Sequence, residues 1–224
     1  FLDCTFGGGG YSLQLLKKTN SKIDAVDRDK NIKYIADEIK KKFPDRFTFF
    51  NQKFSQIGKT FKDKKYDVII FDLGLSSYQL KDLSRGFSFK SKEKLDMTMG
   101  LSDISAQDVV NNLSELQLKS IIKILGEERD ASRIAKNIVL ARSKSRITRV
   151  DQLVKIIEKS KKKNFSNKIN PSTKTFQALR IFVNKEITEL IYGLIKAYNI
   201  LPVGGAIAVV TFHSIEDKIV KFFF

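Results

Sequence analysis

The sequence predicts a doubly wound α/β fold, a parallel sheet with helices on both faces, interrupted by an all-helical insertion. Three observations predict it. A glycine run, Gly7 to Gly10, joins a first strand to a first helix. Two continuous apolar runs, within Asp67 to Asp72 and Ala206 to Phe212, suit strands buried on both faces, as parallel strands are. Between these runs, from about Gln79 to Pro171, no segment reads as a buried strand, and helical spacing dominates.

Taken in order, Phe1-Leu2 reads as the tail of a first strand, left by the loop Asp3-Cys4-Thr5-Phe6-Gly7-Gly8-Gly9-Gly10-Tyr11. Four glycines bury nothing and lose the most backbone entropy, so their use is steric: a sharp turn, and close approach of a ligand to the main chain. Ser12 to Lys18 has apolar residues at helical spacing and lysines in its last turn, where a helix C-terminus favours cations. Lys22 to Asp27 is a short strand ending in an acid. Asn31 to Phe43 carries apolar positions 32, 35, 36, 39 and 43, one helical face, and Pro44 closes it. Arg46 to Asn51 is an aromatic-rich third strand, and a polar link leads to the strand Asp67–Asp72.

In the insertion, Ser105–Leu113, Ser114–Leu125, Glu127–Ser143 and Arg149–Lys163 each space apolar residues three and four apart. Ser114 with Gln117, and Thr148 upstream of Asp151, supply helix-start chemistry. Lys159 to Lys168 reads as a basic, mobile link. A long helix, Ser172 to Ile200, returns the chain to the sheet, and a Pro202-Val203-Gly204-Gly205 turn leads to the last strand. The sheet domain is thus residues 1–79 and 172–224, with 80–171 inserted. Ile219 to Phe224 falls inside a helix, so both termini read as trimmed.

No apolar run approaches the ~18 residues that span a bilayer, so no membrane partner is expected. Cys4 is the only cysteine and cannot form an internal disulfide, which points to a reducing compartment, the cytoplasm. One histidine and one cysteine cannot supply ordinary zinc coordination, so no metal is expected. Basic residues outnumber acidic ones 41 to 25, and a net charge of +16 favours a polyanionic partner, nucleic acid first, over a merely solvated lysine-rich surface.

The glycine loop, with Asp27 about twenty residues on at the end of a second strand, suits an adenosine-type ligand whose ribose hydroxyls donate to the acid. A dinucleotide site wants G-x-G-x-x-G, and serine stands at position 12. Asp3 suits a ligand with a cationic end, such as the ammonium of S-adenosylmethionine. A methyl donor is therefore favoured over a nicotinamide cofactor, with an unliganded turn as the third reading. Asp72-Leu73-Gly74-Leu75-Ser76-Ser77 follows a central strand, where the ligand crevice of such sheets lies, or else is a plain turn. His213, the only histidine, stands at another strand end, as a site residue or a satisfied structural one. Arg85-Gly86-Phe87-Ser88-Phe89 either stacks on an unpaired base or anchors a loop on the core.

Taken together these strings resemble the bacterial-type small-subunit ribosomal RNA cytosine-N4 methyltransferases, the RsmH or MraW family. The resemblance runs nearly end to end, through Asp3–Gly10, Val26–Asp29, Phe71–Ser77, Arg85–Phe89, Leu95–Met97, Gly126–Arg129, Thr175–Ile181 and Phe212–Asp217. It implies a Rossmann-like class I methyltransferase sheet dependent on S-adenosyl-L-methionine, with a helical insertion that recognises substrate. It implies donor-binding residues at Gly9, Gly10, Tyr11, Asp27, Phe54, Asp72 and Gln79, and N4-methylation of a cytidine in the decoding region of small-subunit ribosomal RNA. Asp72 with Ser76 or Ser77 would sit beside the reacting amine, His213 or Asp96 would take its proton, and Phe87, Phe89 and Tyr78 would stack on the splayed base. Cys4 has no covalent step to perform. Homodimerisation stays open, as do a mitochondrial setting and two rivals: a nicotinamide oxidoreductase and a non-catalytic RNA-binding ribosome assembly factor. The chain departs from the family pattern where Tyr11 replaces histidine, Gly8 a basic residue, Tyr78 a proline, Asn170 a histidine and Thr98 an arginine.

Overall fold

The computed structural model describes residues 1–161 and 170–224. The strands are β1 (Leu2–Asp3), β2 (Ile23–Asp27), β3 (Phe47–Asn51), β4 (Val68–Asp72) and β5 (Ala206–Val210). The helices are α1 (Gly10–Lys18), α2 (Lys33–Lys42), α3 (Ile57–Thr60), α4 (Ser77–Lys81), α5 (Ala106–Asn112) and α6 (Glu115–Leu125). They continue with α7 (Ala131–Arg142), α8 (Val150–Ser160), α9 (Thr173–Asn184), α10 (Glu186–Ile200) and α11 (Ser214–Phe223). The chain divides into a sheet unit, Phe1–Tyr78 with Ile187–Phe224, and a helical unit, Gln79–Glu186.

In the sheet unit the strand order is β3-β2-β1-β4-β5, and every pairing is parallel. The first three strands step outward from β1, and β4 returns to its other side. The order therefore reverses between β1 and β4, the position at which open α/β sheets form a crevice at the carboxyl ends of their strands. Alternate residues feed two cores. On one face Leu2, Cys4, Val26, Ile69 and Phe71 pack with Leu190, Leu194 and Ala197 of α10. On the other, Ile23, Ala25 and Phe47 pack with Leu16 of α1 and Ala36 and Ile39 of α2. Burial on both sides explains why β4 reads as an unbroken apolar run, whereas β5, expected from its apolar run to be buried as well, is an edge strand with no buried residue. Cys4 is buried in the first core, and burial pushes its thiol well up, as suits a structural cysteine.

In the helical unit α6 packs against α7 and α9, α7 against α8, and α5 against α7 and α9. Ser105 with Asp108, and Ser114 with Gln117, form reciprocal capping boxes that start α5 and α6. At α8 the expected Thr148–Asp151 pairing does not form; the cap falls one residue on, at Arg149, with Gln152 three residues after it. The Asp151 carboxylate takes the Arg149 guanidinium, and the Gln152 carboxamide accepts the Thr148 and Arg149 N–H groups. Of the basic link, residues 162–168 lie outside the described residues.

The single helix expected from Ser172 to Ile200 is two. Lys185 adopts a left-handed conformation (φ 52°), which ends α9, and α9 packs within the helical unit rather than the sheet unit. Asn184, fully buried, explains where the break falls. Its Oδ1 accepts the Met99 N–H (2.8 Å) and the Ser102 hydroxyl (2.8 Å), and its Nδ2 donates to Met97 O (2.8 Å) and Arg180 O (2.9 Å). Met97 is itself left-handed (φ 61°), and the loop before α5 is held there by Asn184 together with the bonds from Met97 N–H to Arg85 O (2.9 Å) and from the Arg85 guanidinium to Thr98 O (2.9 Å). The Arg85–Phe89 loop proves to be an anchor. Phe87 is buried beneath the Arg85 guanidinium, 5.3 Å from ring centroid to Cζ, and Phe89 meets Phe176 edge-on at 6.4 Å. Phe87 is thus withheld from base stacking, while Phe89 is half-buried. Among the described residues no helix is long and apolar enough to cross a membrane.

Replacing Asn184 with alanine orphans several buried main-chain groups, so it should lower the stability of the helical unit by about 2 kcal/mol or more. Urea unfolding followed by circular dichroism checks this.

Candidate active site

The site is built on a notch. Asp3, the last residue of β1, pairs with Ala25 of β2 and Ile70 of β4. β2 and β4 run two residues further, to Asp27 and Asp72. Side chains two apart share a face of a strand, so Asp3, Asp27 and Asp72 all point to the same face at the same sheet end. With strands about 4.8 Å apart, the Asp27 and Asp72 backbones stand roughly 10 Å apart, astride the loop that leaves β1.

Asp27 already serves the loop. Its Oδ2 accepts the Gly7 N–H (2.8 Å) and its Oδ1 the Asp29 N–H (2.8 Å). A carboxylate has about four lone-pair sites, so each oxygen keeps one for a further donor. Burial outweighs these bonds and raises its pKa to about 6. Asp72 is half-buried, and burial pushes its carboxyl up as well.

Asp3 does not face a ligand. It is 1% exposed, with Oδ2 accepting the Ser12 hydroxyl (2.7 Å) and Oδ1 the Thr5 N–H (3.2 Å). The expected contact with a cationic ligand end is replaced by an internal tie between β1 and the first turn of α1. This also accounts for serine where a dinucleotide site has its third glycine.

The glycines do more than turn the chain. A Cβ added at Gly7 would lie 3.3 Å from Ser76 Cβ, and one at Gly8 would lie 2.7 Å from Tyr78 Cε2. At Gly9 it would meet Ile39 Cδ1 at 2.8 Å and the Phe6 ring at 3.0 Å, and its φ of 73° is one that other residues rarely adopt. Three of the four are thus packing positions, contrary to the expectation that they bury nothing. Gly10 is different: nothing lies within 4 Å of the place its Cβ would occupy. Helix α1 starts there, earlier than its apolar spacing suggests, and its N-cap, Gly9, has no side chain to cap it.

Tyr11, in the first turn of α1, is 43% exposed, and Tyr78 is 47% exposed with its ring edge over Gly8. Ser76 and exposed Ser77 follow β4 into α4. Phe54 is turned inward: it packs edge-on against Phe71 at 5.5 Å and fills the space left by Gly193. Gln79 and Asp96 belong to the helical unit, Gln79 buried on α4 and Asp96 accepting the Thr98 N–H with Oδ1 (3.1 Å).

His213 follows β5, whose Val210 pairs with Asp72, so it stands at the same sheet end. It caps α11: Nδ1 accepts the Glu216 N–H at 3.4 Å, and Nε2 lies 3.2 Å from Glu216 Oε1. Glu216 Oε2 accepts the Phe212 N–H at 3.0 Å. Sequence reasoning passed over Glu216, though a glutamate three residues after a polar cap is a helix-start signal. It also passed over Thr5, whose hydroxyl accepts the Asp72 N–H at 2.6 Å.

A parallel sheet in this order, a glycine loop at its switch point and an acid ending each flanking strand define a Rossmann-like methyltransferase fold. The chain belongs to the MraW methylase family, whose model matches residues 1–224. It is 45% identical over 227 residues to a protein of Orientia tsutsugamushi (strain Ikeda), which covers all of this chain and 73% of that one. It is 42% identical over 229 residues to one of Ehrlichia ruminantium (strain Welgevonden), covering all of this chain and 76% of that protein. A protein of Rickettsia massiliae (strain Mtu5) is 44% identical over 224 residues, all of this chain and 73% of its own. Each of the three is named ribosomal RNA small subunit methyltransferase H.

The two glycines that begin α1 should respond oppositely to alanine. Gly9→Ala combines a strained φ with overpacking and should cost about 2–4 kcal/mol, whereas Gly10→Ala should be neutral or slightly stabilising. Thermal melts of the two variants check the order.

Proposed function

We propose that this protein transfers a methyl group from S-adenosylmethionine to N4 of a cytidine in the decoding region of small-subunit ribosomal RNA. The observation that carries the reading is the notch: Asp27 and Asp72 on one face, either side of a glycine loop whose Gly10 leaves the backbone open. The relatives' shared name supplies the substrate class.

S-adenosylmethionine supplies an electrophilic methyl on a sulfonium. The remaining lone pairs of Asp27 accept from two vicinal ribose hydroxyls. Gly9 and Gly10 admit the ligand against the main chain, and the uncapped first turn of α1 offers N–H groups to its carboxylate. Tyr11, standing where the family has histidine, keeps a ring and a hydroxyl beside the loop. Phe54 supports the site from the core side, and Gln79 is assigned to donor binding by its place in the motif alone.

The exocyclic amine of cytosine is a weak nucleophile, because its lone pair is conjugated with the ring. Asp72 accepts a hydrogen bond from it, with Ser76 and Ser77 alongside, which favours rehybridisation and disperses the developing charge. Asp72 also takes the proton, since burial makes it a stronger base than an ordinary carboxylate. His213 has its Nδ1 committed to capping α11, and Asp96 is an alternative acceptor on the sequence reading alone. Tyr78, the most exposed of the three candidate rings, stacks on the target base. In the helical unit, exposed Lys123, Arg129, Lys136, Lys144 and Arg146 hold RNA phosphates.

Transfer of a tritium-labelled methyl group to small ribosomal subunits, followed by nucleoside analysis, tests the reading. Asp72→Ala should lower kcat by about a hundredfold or more. RNA binding without transfer would instead identify an assembly factor that keeps the fold.

Asp27 adds a pH signature. Its pKa rises from 3.8 in the ordinary state to about 6 in the fold, so the folded protein holds the proton longer. Stability from this group therefore falls as pH rises from about 4 to 6 and is level above that. Donor binding needs the ionised form and runs the other way: affinity should fall about tenfold per pH unit below 6. Calorimetric titration with S-adenosylmethionine checks this, and Asp27→Asn should flatten the profile at weak affinity.

A further inference from the structure

The ladder between β1 and β4 stops short of Asp72. β1 ends at Asp3, level with Ile70. Cys4 N–H still donates to Ile70 O at 2.9 Å, and the next amide on that edge of β4 belongs to Asp72. It donates to the Thr5 hydroxyl at 2.6 Å, where a longer β1 would have offered a carbonyl. A side chain thus continues the sheet for one more rung.

Thr5 is well placed to transmit position. Its own N–H is tied to Asp3 Oδ1 (3.2 Å), and Asp3 Oδ2 is tied to the Ser12 hydroxyl on α1 (2.7 Å). The next residue, Phe6, donates its N–H to Val26 O of β2 at 3.0 Å. A β-branched side chain has few rotamers, so the hydroxyl stays where this backbone puts it.

We infer that Thr5 is a positioning residue: its hydroxyl fixes Asp72 at the tip of β4 relative to the glycine loop. It thereby sets the distance between the groups that hold the methyl donor and the carboxylate that meets the amine. This rests on the methyl-transfer reading above. Near-attack geometry is unforgiving, and a shift of about 1 Å costs about a hundredfold in rate. Removing the hydroxyl should therefore slow the chemistry while leaving the donor's own contacts, Asp27 and the glycines, in place.

The test compares Thr5→Val, which keeps the shape, with Thr5→Ser, which keeps the hydroxyl. In Thr5→Val the Asp72 amide should exchange with deuterium at least about tenfold faster by NMR, because its acceptor is gone. Single-turnover transfer to small ribosomal subunits should slow by about ten- to a hundredfold, with the dissociation constant for S-adenosylmethionine changed less than about threefold. Thr5→Ser should restore both within about threefold of the unaltered protein.

Wild-type transfer in Thr5→Val, alongside an inactive Asp72→Ala, overturns the inference and leaves the methyl-transfer reading standing. Equal loss in Thr5→Ser also overturns it, since the hydroxyl would not be the cause. Full transfer in Asp72→Ala sinks the assignment of Asp72 instead, while amide exchange still reports on the bond. Should Thr5→Val fail to fold, the unaltered protein decides: an Asp72 amide that exchanges as fast as an open loop's refutes the proposal.

Discussion

The central strand is the shortest in the sheet, and that shortfall governs the rest of the sheet unit. β1 has two residues between neighbours of five. Had it matched them, its backbone would have filled the space between Asp27 and Asp72 and paired with both strands. Instead the chain turns out of the sheet through glycines, and two strand ends are left facing each other across a gap. Side chains finish what the ladder leaves undone. Asp27 takes the Gly7 amide from one side, and Thr5 takes the Asp72 amide from the other. The loop is therefore bound to both walls of the crevice.

That arrangement crowds three like charges. Asp72 raises the pKa of Asp3, and Asp3 raises that of Asp27, each adding to the larger effect of burial. Hydrogen bonds from Ser12, Thr5, Gly7 and Asp29 oppose the shift without cancelling it. A fold does not gather acids at a low-dielectric strand end for stability, because each pays a desolvation penalty. A ligand bearing a positive centre would relieve the crowding. The same logic explains why Asp3 is turned inward. Two carboxylates are enough at the mouth, and the third works as an internal clamp.

Much of this was legible in the residues. The unbroken apolar run of β4 marked a strand buried on both faces, and Ser114 with Gln117 marked a helix start that the structure reproduces; the similar run of β5 lies at the sheet edge, where composition alone does not distinguish it. Asp27 was legible because a strand end and a glycine loop twenty residues apart share one geometry. Other features depend on contacts far away in the chain, which local spacing cannot report. Gly7, Gly8 and Gly9 are pressed by Ser76, Tyr78 and Ile39. The break at Lys185 has no glycine or proline to announce it, since a buried Asn184 bonded to residues 97–102 sets it. Phe87 is the same type of residue whether it stacks on a base or on the core, and only its burial separates the two.

Tyr78 and Gly8 stand at positions where the family pattern has a proline and a basic residue, and the structure makes the two departures one. The tyrosine ring lies where a side chain at position 8 would begin. The two positions therefore share one volume: a basic side chain placed at 8 would have to displace the tyrosine ring, and so would also change the exposed aromatic surface beside the glycine loop.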